Sequence, residues 1–509
     1  MGDLSTRSLE IKGRIRVASS TSWRNKAEGG GREKSEQFIV PNRLPVMGLA
    51  RGRDCLSDTG EAMNFEPHSK AEQTTKFKLT LIAKKAKEEP KLKFTSLMHL
   101  LNSEYLTQCF KELKAGKAAG IDQRTLESYT ADEIERAIDE LISRLKSYRY
   151  RPKPVRQVLI PKANGKLRPL GIPTVMDKVL QLAVAKILEV IYEPLFLDCS
   201  YGFRPKRNAH ESLKALNHMV MGKKVNWIID ADIEGFFDNV EHDYLIRCLK
   251  ERISDPNFLI LINRFLKAGV MVTGKLEPTR KGTPQGGIVS PILANIYLHY
   301  CLDLWFKLRK RRQLKGYAEE IRYADDFIIG VQYKEEATQV LRDMETRLAT
   351  AGLTLSKEKT RIIEFGRYTK DNHHKRGGGK PPTFDFLGFT HYCGKTKDGR
   401  FAMKMRTSRK KYAVAIKTQA QWLKNIRTEP IEKIWKTLAL KLTGHYQYYG
   451  LSGNFISIKN YYQQTRKLTF KWMNRRSQKK SWNWQDFEEY LTRHPLPKPR
   501  ITYAIYNTW

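Results

Sequence analysis

The chain of 509 residues carries 92 Lys or Arg against 54 Asp or Glu, which gives a formal net charge of +38 at pH 7. An excess of this size predicts a nucleic acid as partner, because each neutralised phosphate releases condensed counterions. The six cysteines form no Cys-x-x-Cys pair, which disfavours a disulfide framework and a zinc module and is compatible with a reducing cytosol. No apolar stretch is long enough to span a bilayer, so we expect a soluble protein with no membrane partner.

The first 75 residues are rich in Gly, Ser, Arg and Glu and show no sustained hydrophobic periodicity. This composition predicts a disordered leader over residues 1–75. A transit peptide is the alternative, but Asp3, Glu10 and the lack of an amphipathic stripe count against it.

Helical patterns begin at Lys76, and strand patterns replace them near residue 155. Residues 155–173, "VRQVLIPKANGKLRPLGIP", predict a hairpin around Asn164-Gly165, and a long apolar helix follows. Farther on, "VNWIIDADIEGFFDNV" predicts a buried strand that ends near Asp232.

The stretch "EEIRYADDFIIGV" alternates like two strands joined by a tight turn at Ala324-Asp325. This pattern places the carboxylates of Asp325 and Asp326 at the tip of a hairpin. Beyond it, residues 401–480 hold nineteen Lys or Arg but only two acids, with aromatic residues interleaved. We interpret this segment as helical throughout, with basic faces that suit phosphate contact and base stacking.

The acidic motifs indicate a metal-dependent reaction on a phosphate substrate. Predicted helices separate Asp232 from Asp325 in the chain. The carboxylates can therefore meet only through the tertiary fold. Carboxylate oxygens are ligands that Mg²⁺ prefers, and two such ions can hold the attacking and leaving oxygens of an in-line displacement. Template-directed nucleotidyl transfer is the natural hypothesis, although Tyr-x-Asp-Asp alone is a weak signal.

Seven sequence blocks occur in an order that resembles reverse transcriptases, and in detail the group II intron-encoded reverse transcriptase/maturase family. The blocks are "IPKANGKLRPLGIPT" (160–174), "SYGFRPKRNAHES" (200–212), "DADIEGFFDNVEH" (230–242), "GTPQGGIVSPILANIYL" (282–298), "YADD" (323–326), "LTLSKEKT" (353–360) and "FDFLGF" (384–389). The resemblance extends from about Lys76 into the C-terminal "HPLPKPRI" segment, so it covers most of the chain.

This resemblance implies an α/β right-hand polymerase, with fingers, a palm built on an antiparallel sheet, and an α-helical thumb that doubles as the maturase domain. After the leader that the composition predicts at 1–75, the expected ranges are an N-terminal extension with fingers at 76–225, the palm at 226–395, the helical thumb/maturase (X) domain at 396–475 and a short basic tail at 476–509.

The resemblance also implies catalytic roles. Asp232, Asp325 and Asp326 match the catalytic carboxylates that hold two Mg²⁺ ions, with the backbone carbonyl of Ile233 as a further metal ligand. Phe237 matches the ring that excludes a 2′-hydroxyl and so selects deoxynucleotides, whereas its neighbour Phe236 reads as core.

Other positions match substrate contacts. Lys162, Arg168 and Gln285 match residues at the incoming nucleotide, and Lys359 matches a general acid toward pyrophosphate, with Lys357 as the alternative. The template and primer contacts implied are Arg204, Gly286, Leu387 and Gly388, and the intron RNA contacts are Arg409, Lys410 and Lys411. We interpret Asp238 and His242 as structural groups near the site.

The function implied is that of an RNA-directed DNA polymerase that binds its group II intron RNA, assists splicing and copies the intron into DNA during retrohoming. Its partners would be intron RNA, a DNA target and primer, and dNTPs; a homodimer is left open. Two alternatives remain: an RNA-binding splicing cofactor with a vestigial polymerase, and an intron-derived enzyme recruited to phage defence or CRISPR spacer acquisition. The intact carboxylates favour an active enzyme over the first.

We expect a bacterial cytoplasmic or nucleoid location rather than an organelle. Many relatives carry a C-terminal His-Asn-His endonuclease with paired cysteines, and this sequence shows no such pattern. The resemblance is therefore to the form that lacks this domain, which would take its primer from a nick or a replication fork.

Overall fold

The computed structural model describes residues 70–161, 167–272, 275–277, 281–283, 286–477 and 482–506. The helices are α1 (Lys70–Glu88), α2 (Ser103–Glu112), α3 (Ala131–Lys146), α4 (Val175–Tyr192), α5 (Ala209–Gly222), α6 (Phe236–Asn239), α7 (His242–Lys250), α8 (Pro256–Leu266), α9 (Ser290–Leu298), α10 (Arg311–Gln313), α11 (Lys334–Ala349), α12 (Thr369–Lys375), α13 (Arg409–Ile426), α14 (Ile431–Tyr449), α15 (Phe455–Met473) and α16 (Trp484–Arg493). The strands are β1 (Val155–Pro161), β2 (Leu167–Ile172), β3 (Trp227–Asp232), β4 (Val270–Val272), β5 (Lys275–Glu277), β6 (Ala318–Tyr323), β7 (Asp326–Val331), β8 (Arg361–Glu364), β9 (Phe384–Phe386), β10 (Phe389–Lys395) and β11 (Phe401–Thr407).

The start of α1 corrects the predicted end of the leader. Helix α1 begins at Lys70, so residues 70–75 are helical and do not belong to a leader. The pattern hid this boundary because α1 begins in the polar run "KAEQTTK", which lacks an apolar stripe. The remainder of the predicted leader lies outside the described residues.

The central sheet is antiparallel, with the strand order β6-β7-β3-β8. Strand β3 pairs with β7 from Trp227 to Asp232 and with β8 from Trp227 to Asp230. Its apolar residues Ile228 and Ile229 are fully buried, because helices cover one face and the sheet formed by β9, β10 and β11 covers the other. The sheet therefore offers a rigid support for residues at the ends of β3 and β7.

A second sheet has the strand order β2-β1-β4-β5 and joins segments from both sides of residue 225, the predicted boundary between fingers and palm. Strands β1 and β2 form the antiparallel arms of the predicted hairpin, whose tip lies outside the described residues. Strand β1 also pairs in parallel with β4, at Val155 with Val270. The segment 270–277 thus completes the hairpin's sheet although it follows β3 in the chain, which local sequence patterns do not indicate.

The third sheet, β11-β10-β9, packs on the central sheet and corrects the prediction that residue 401 onward is helical. Residues 401–407 form β11, which pairs with β10 along its whole length. The alternation of Phe401, Met403 and Met405 is the strand signal that the high basic content obscured. Helical structure begins at Arg409, not at the predicted 396.

Helices α13, α14 and α15 pack with α16 around a core that includes many of the interleaved aromatic residues. Trp435, Tyr446, Tyr461 and Phe487 are buried in this core. The segment after α16 returns to α14 and to the third sheet, where Thr502 N donates to the Gly450 carbonyl over 2.7 Å. These aromatic residues are therefore packing groups rather than free stacking platforms.

Within the described residues, no helix combines the length and the apolar character that crossing a membrane would require.

Candidate active site

The three predicted catalytic carboxylates come together at one end of the central sheet. Asp232 ends β3 and lies directly opposite Asp326, the first residue of β7. Asp326 also pairs with Tyr323 of β6, so Ala324 and Asp325 form the two-residue turn that the sequence predicts. In an antiparallel sheet, directly opposed side chains lie within about 5 Å at Cβ, close enough for two carboxylates to share a cation.

The turn at Ala324 is held in an unusual backbone conformation by a buried clamp. Ala324 has a φ of +58°, a value that L-residues rarely adopt. The Arg322 guanidinium donates to the Ala324 carbonyl over 2.9 Å and to both carboxylate oxygens of Asp303 over 2.7 and 2.6 Å. Both partners of this ion pair are fully buried. The clamp therefore fixes the position of the carboxylates at the hairpin tip.

A close backbone approach supports the same turn from the other side. A Cβ atom on Gly202 would lie 2.3 Å from the Ala324 nitrogen, so only glycine fits there. The Gly202 carbonyl accepts a hydrogen bond of 2.7 Å from the Asn295 side chain, which also accepts from Arg322. Sequence reasoning missed Asp303, Arg322 and Asn295, because no local pattern connects them.

The crowding of acids affects the protonation of Asp326. Desolvation in the cleft, followed by Asp325 and Asp232, raises the pKa of Asp326 from 3.8 to about 6. Part of the Asp326 surface remains open to solvent, so an ion can reach it. Mutual repulsion of this kind is relieved by a bound cation, and an all-oxygen donor set fits Mg²⁺. Ile233, whose carbonyl is the fourth predicted ligand, follows Asp232 with its side chain buried.

Lys359 reaches this cluster from the segment before β8. Its ammonium donates to the Asp232 carboxylate over 2.7 Å, and this hydrogen bond is the main reason that the pKa of Lys359 is raised. The side chain is largely exposed, so it can move away from Asp232. The structure thus brings Lys359 to the carboxylates, while the alternative Lys357 makes no hydrogen bond or ion pair among the described residues.

The two phenylalanines after Asp232 differ in burial. Phe236 is 2% exposed and packs edge-on against Phe237, with ring centroids 5.2 Å apart. Phe237 is only partly buried, and its carbonyl accepts from the Thr283 nitrogen over 2.8 Å. His242 is buried, and its Nε2 lies 2.7 Å from the Gly282 carbonyl. His242 therefore holds the backbone of the loop at Gly282 in place.

Several predicted nucleotide contacts cannot be placed from side chains. Lys162 and Gln285 lie outside the described residues, and Arg168 is described only by its backbone pairing with Ile160 in the β1–β2 arms. Gly286 has a φ of +108°, and a Cβ there would lie 2.6 Å from the Gly171 carbonyl. This glycine is therefore required for close packing against β2, and its backbone remains exposed.

Arg204 does not face a template, which corrects its predicted role. The residue is 7% exposed, and its guanidinium donates to Glu193 over 2.8 Å. It also donates to the carbonyls of Leu197 and Ser200 over 2.7 and 2.8 Å. The guanidinium therefore donates to acceptors that join α4 to the following loop. Local sequence cannot distinguish this role from a phosphate contact.

The predicted primer contact forms the turn between β9 and β10. Leu387 and Gly388 have φ values of +48° and +82°. The Leu387 carbonyl accepts from the Tyr448 hydroxyl over 2.9 Å, and the Gly388 carbonyl accepts from the Ser408 nitrogen over 2.9 Å. Helix α14 therefore fixes this turn through Tyr448, a residue that the motif did not identify.

The predicted RNA contacts form the first turn of α13. Arg409, Lys410 and Lys411 are all exposed, and Ser408 caps the helix by accepting from the Lys411 nitrogen over 3.4 Å. No acid lies in this first turn. The positive end of the helix dipole and three cations thus coincide, an unfavourable arrangement for the free protein that a bound phosphate would relieve.

Comparisons with known proteins find relatives of this chain. A family model described as "Reverse transcriptase (RNA-dependent DNA polymerase)" matches residues 160–391. The chain is 36% identical over 308 residues to the group II intron-encoded protein LtrA of Lactococcus lactis subsp. cremoris, covering 58% of this chain and 50% of LtrA. It is 32% identical over 315 residues to the protein YkfC of Escherichia coli (strain K12), covering 54% and 81%.

A plant relative extends the range of similarity. The mitochondrial nuclear intron maturase 4 of Arabidopsis thaliana is 28% identical over 151 residues, or 29% of this chain and 18% of that protein. The chain thus spans about half the length of LtrA and a smaller share of the maturase.

Proposed function

The chain belongs to the group II intron reverse transcriptase/maturase family, and we propose that it is an RNA-directed DNA polymerase that binds its intron RNA, assists splicing and copies the intron into DNA during retrohoming. The observation that carries this proposal is the cross-strand pairing of Asp232 with Asp326 beside the clamped turn. This arrangement supplies a fixed set of oxygen ligands at one end of a rigid sheet.

In the proposed mechanism, Asp232, Asp325, Asp326 and the Ile233 carbonyl would hold two Mg²⁺ ions. Bound there, the ions would lower the pKa of the primer 3′-hydroxyl and stabilise charge on the leaving pyrophosphate. Lys359 moves from Asp232 toward the pyrophosphate, and its raised pKa keeps it protonated and able to donate. This movement is supported by the exposure of the side chain.

Selection of the nucleotide falls to residues around the same cleft. The partly exposed Phe237 ring would lie under the sugar and leave no room for a 2′-hydroxyl, whereas Phe236 is core. Lys162, Arg168 and Gln285 remain the proposed contacts to the triphosphate and base. The β2–β1–β4–β5 sheet that carries Arg168 would act as the fingers, since fixed cations there can grip phosphates.

We propose a right-hand arrangement in which the central sheet is the palm and α13–α15 form the thumb. The thumb would also be the RNA-binding maturase domain, because the first turn of α13 joins three exposed cations to a helix N-terminus. The primer would lie on the β9–β10 turn, where Tyr448 links thumb and primer contact. Intron RNA, a DNA target with its primer, and dNTPs are the proposed partners.

A paired experiment separates the polymerase from the RNA-binding function. Asp325→Ala should abolish primer extension on an RNA template with dNTPs and Mg²⁺, and should leave intron RNA binding unchanged. Replacing Arg409, Lys410 and Lys411 by Gln should weaken intron RNA binding and reduce the slope of log affinity against log salt by up to about 3, while most extension on a short primed template remains.

Each alternative function has its own outcome in this experiment. Intron RNA binding with no extension by the wild-type protein would support a splicing cofactor with a vestigial polymerase. Extension with no preference for intron RNA would support an enzyme recruited to another setting. Equal loss of both activities in each variant would contradict the proposed division of labour.

A further inference from the structure

Three side chains that can bind metal meet beside the clamp of the catalytic turn. Cys199 lies in the loop after α4, Asp303 ends a π-helical segment that continues α9, and Glu320 lies on β6. The Cys199 Sγ and one carboxylate oxygen of each acid all lie within 4.8 Å of one another. Sulfur and oxygen ligands of a tetrahedral ion lie about 3.5 Å apart, so small side-chain movements would bring all three to one cation.

Glu320 is the member of this cluster that lacks a partner. The residue is 3% exposed, and within the described part of the chain neither carboxylate oxygen has a hydrogen-bond partner. One of these oxygens lies within 4.8 Å of both the Cys199 sulfur and the Asp303 carboxylate, so the acid faces the cluster. A buried carboxylate without hydrogen bonds is unfavourable unless a cation or a proton lies beside it.

A second group without a partner lies next to the cluster. His299 is 2% exposed, and its Nδ1 lies 4.0 Å from the Asp303 Oδ2, too far for a hydrogen bond. Among the residues that the structure describes, this nitrogen has no hydrogen-bond partner. His299 and Asp303 are the first and last residues of the π-helical segment, and segments of this kind occur frequently at functional sites. A fourth ligand is therefore at hand.

The backbone holds the thiol beside β6 at a point that an ion can reach. The Cys199 carbonyl accepts from the Arg322 nitrogen over 2.7 Å, and the Tyr201 nitrogen donates to the Arg322 carbonyl over 2.8 Å. Cys199 is partly exposed, whereas Asp303 is fully buried. The cluster therefore has a fixed inner wall and an entry side at the cysteine, as a metal site requires.

The charges around the cluster suit a divalent cation. When its thiol and both acids are ionised, three negative charges face the fully buried Arg322, which binds both oxygens of Asp303. One divalent cation would make this buried group neutral. Lys307 and Arg204 also act on the surroundings of the cluster, but Lys307 is exposed and Arg204 is paired with Glu193.

We propose that Cys199, Asp303 and Glu320 bind one Zn²⁺, with His299 Nδ1 as the fourth ligand. Thiolate, carboxylate and imidazole are ligands that zinc prefers, and four protein ligands make a structural site. Because Asp303 also binds Arg322, the ion would brace the clamp of the catalytic turn. The ligands come from separate segments, so no cysteine spacing indicates the site. The inference does not depend on the proposed polymerase function.

A protonated Glu320 is the competing explanation. Burial raises the pKa of the Glu320 carboxyl and of the Cys199 thiol, Asp303 adds to both shifts, and Arg322 opposes them. A proton on each group would also make the cluster neutral. The two explanations differ for Glu320→Gln, because glutamine mimics a protonated acid but is a poor zinc ligand.

Metal binding to the full chain provides the test. The proteins are wild type, Cys199→Ser, Glu320→Gln, and Cys301→Ser as the matched control. Cys301 is a buried free thiol of the same π-helical segment, but its Sγ lies 4.0 Å from the Leu298 carbonyl and does not belong to the cluster. After treatment with a chelator, each protein is titrated with Zn²⁺ against a chromophoric chelator, and separately with Co²⁺, in excess Mg²⁺.

We expect wild type and Cys301→Ser to bind one Zn²⁺ per chain and to show a cobalt–thiolate charge-transfer band in the near ultraviolet. This band reports the cysteine alone, because the catalytic carboxylates offer no sulfur. Cys199→Ser should lose the band, and both cluster variants should bind Zn²⁺ at least about a hundredfold more weakly. Zn²⁺ should raise the Tm of wild type and Cys301→Ser, but not that of Cys199→Ser.

The wild-type protein alone can overturn the site, even where a variant does not fold. No charge-transfer band and no Zn²⁺-dependent rise of Tm in folded wild type would do so, as would a band that Cys301→Ser loses and Cys199→Ser keeps. A Glu320→Gln protein at least as stable as wild type, both in chelator and in Zn²⁺, would support the protonated acid instead.

Discussion

At the scale of single residues, Asp326 links the protonation of the site to the metal binding that we propose for it. Its pKa is raised to about 6, so the folded protein binds more protons than the unfolded chain between about pH 4 and pH 6. The metal-free protein should therefore lose stability as the pH rises through this window and change little above it. Because solvent reaches Asp326, we expect the loss to stay below about 1 kcal/mol.

In the proposed site, the same proton must leave Asp326 before this carboxylate can bind Mg²⁺. The Mg²⁺ concentration for half-maximal primer extension should therefore rise by up to about tenfold per pH unit below pH 6, and stay flat above it. Magnesium titrations of extension at a series of pH values measure this dependence. A magnesium requirement that is constant from about pH 5 to pH 8 would contradict the assignment of Asp326 as a ligand.

Arg204 gives a second prediction at this scale. Arg204→Ala should lower the free energy of unfolding by about 3 kcal/mol, because it leaves buried acceptors without their donor. The matched control is Arg207→Ala, which breaks a pair with the exposed Asp198 and should cost less than about 1 kcal/mol. Denaturant unfolding measures both. A weaker affinity for template RNA with unchanged stability would restore the role that the motif suggested for Arg204.

At the scale of elements, the catalytic turn depends on a glycine in another loop. Gly202→Ala places a Cβ within 2.3 Å of the Ala324 backbone, so the turn that carries Asp325 must shift. We expect primer extension to fall by at least about a hundredfold, because displacement of a reacting group by about 1 Å has effects of this size.

A second glycine supplies the control for this substitution. Gly444 lies in α14 with no atom within 4 Å of an added Cβ, so Gly444→Ala should keep full activity and gain up to about 1 kcal/mol of stability. Extension rates and denaturant unfolding of both variants test the clamp. Primer extension by Gly202→Ala at the wild-type rate would contradict this dependence, because it would show that the turn tolerates movement.

The same scale shows what the sequence could predict. Strand β3, the β6–β7 hairpin and the β1–β2 arms followed from alternation and turn residues, and the family resemblance is confirmed by the comparisons. Strand β11 and the pairing of β1 with β4 could not be predicted from these sequence patterns. A basic composition masked the first, and the second is a contact across more than a hundred residues that no local pattern encodes.

At the scale of the whole molecule, the site is assembled from segments that lie far apart in the chain. The carboxylates come from β3 and β7, Lys359 comes from the segment before β8, and the turn is clamped by Asp303 and Gly202. The sequence identified the carboxylates because their chemistry requires acids at strand ends. It could not identify the clamp, since buried ion pairs carry no spacing signature, and it misread Arg204 for the same reason.

The central claim is that the carboxylates at the end of β3 and β7 hold the metal that adds dNTPs to a primed RNA template. The most direct measurement is Mg²⁺-dependent incorporation of a single dNTP by wild type, Asp232→Asn and Glu234→Gln, the last being an exposed acid two positions away. The account predicts incorporation by wild type and Glu234→Gln and a loss of at least about a thousandfold in Asp232→Asn. Incorporation by Asp232→Asn at the wild-type rate would contradict it.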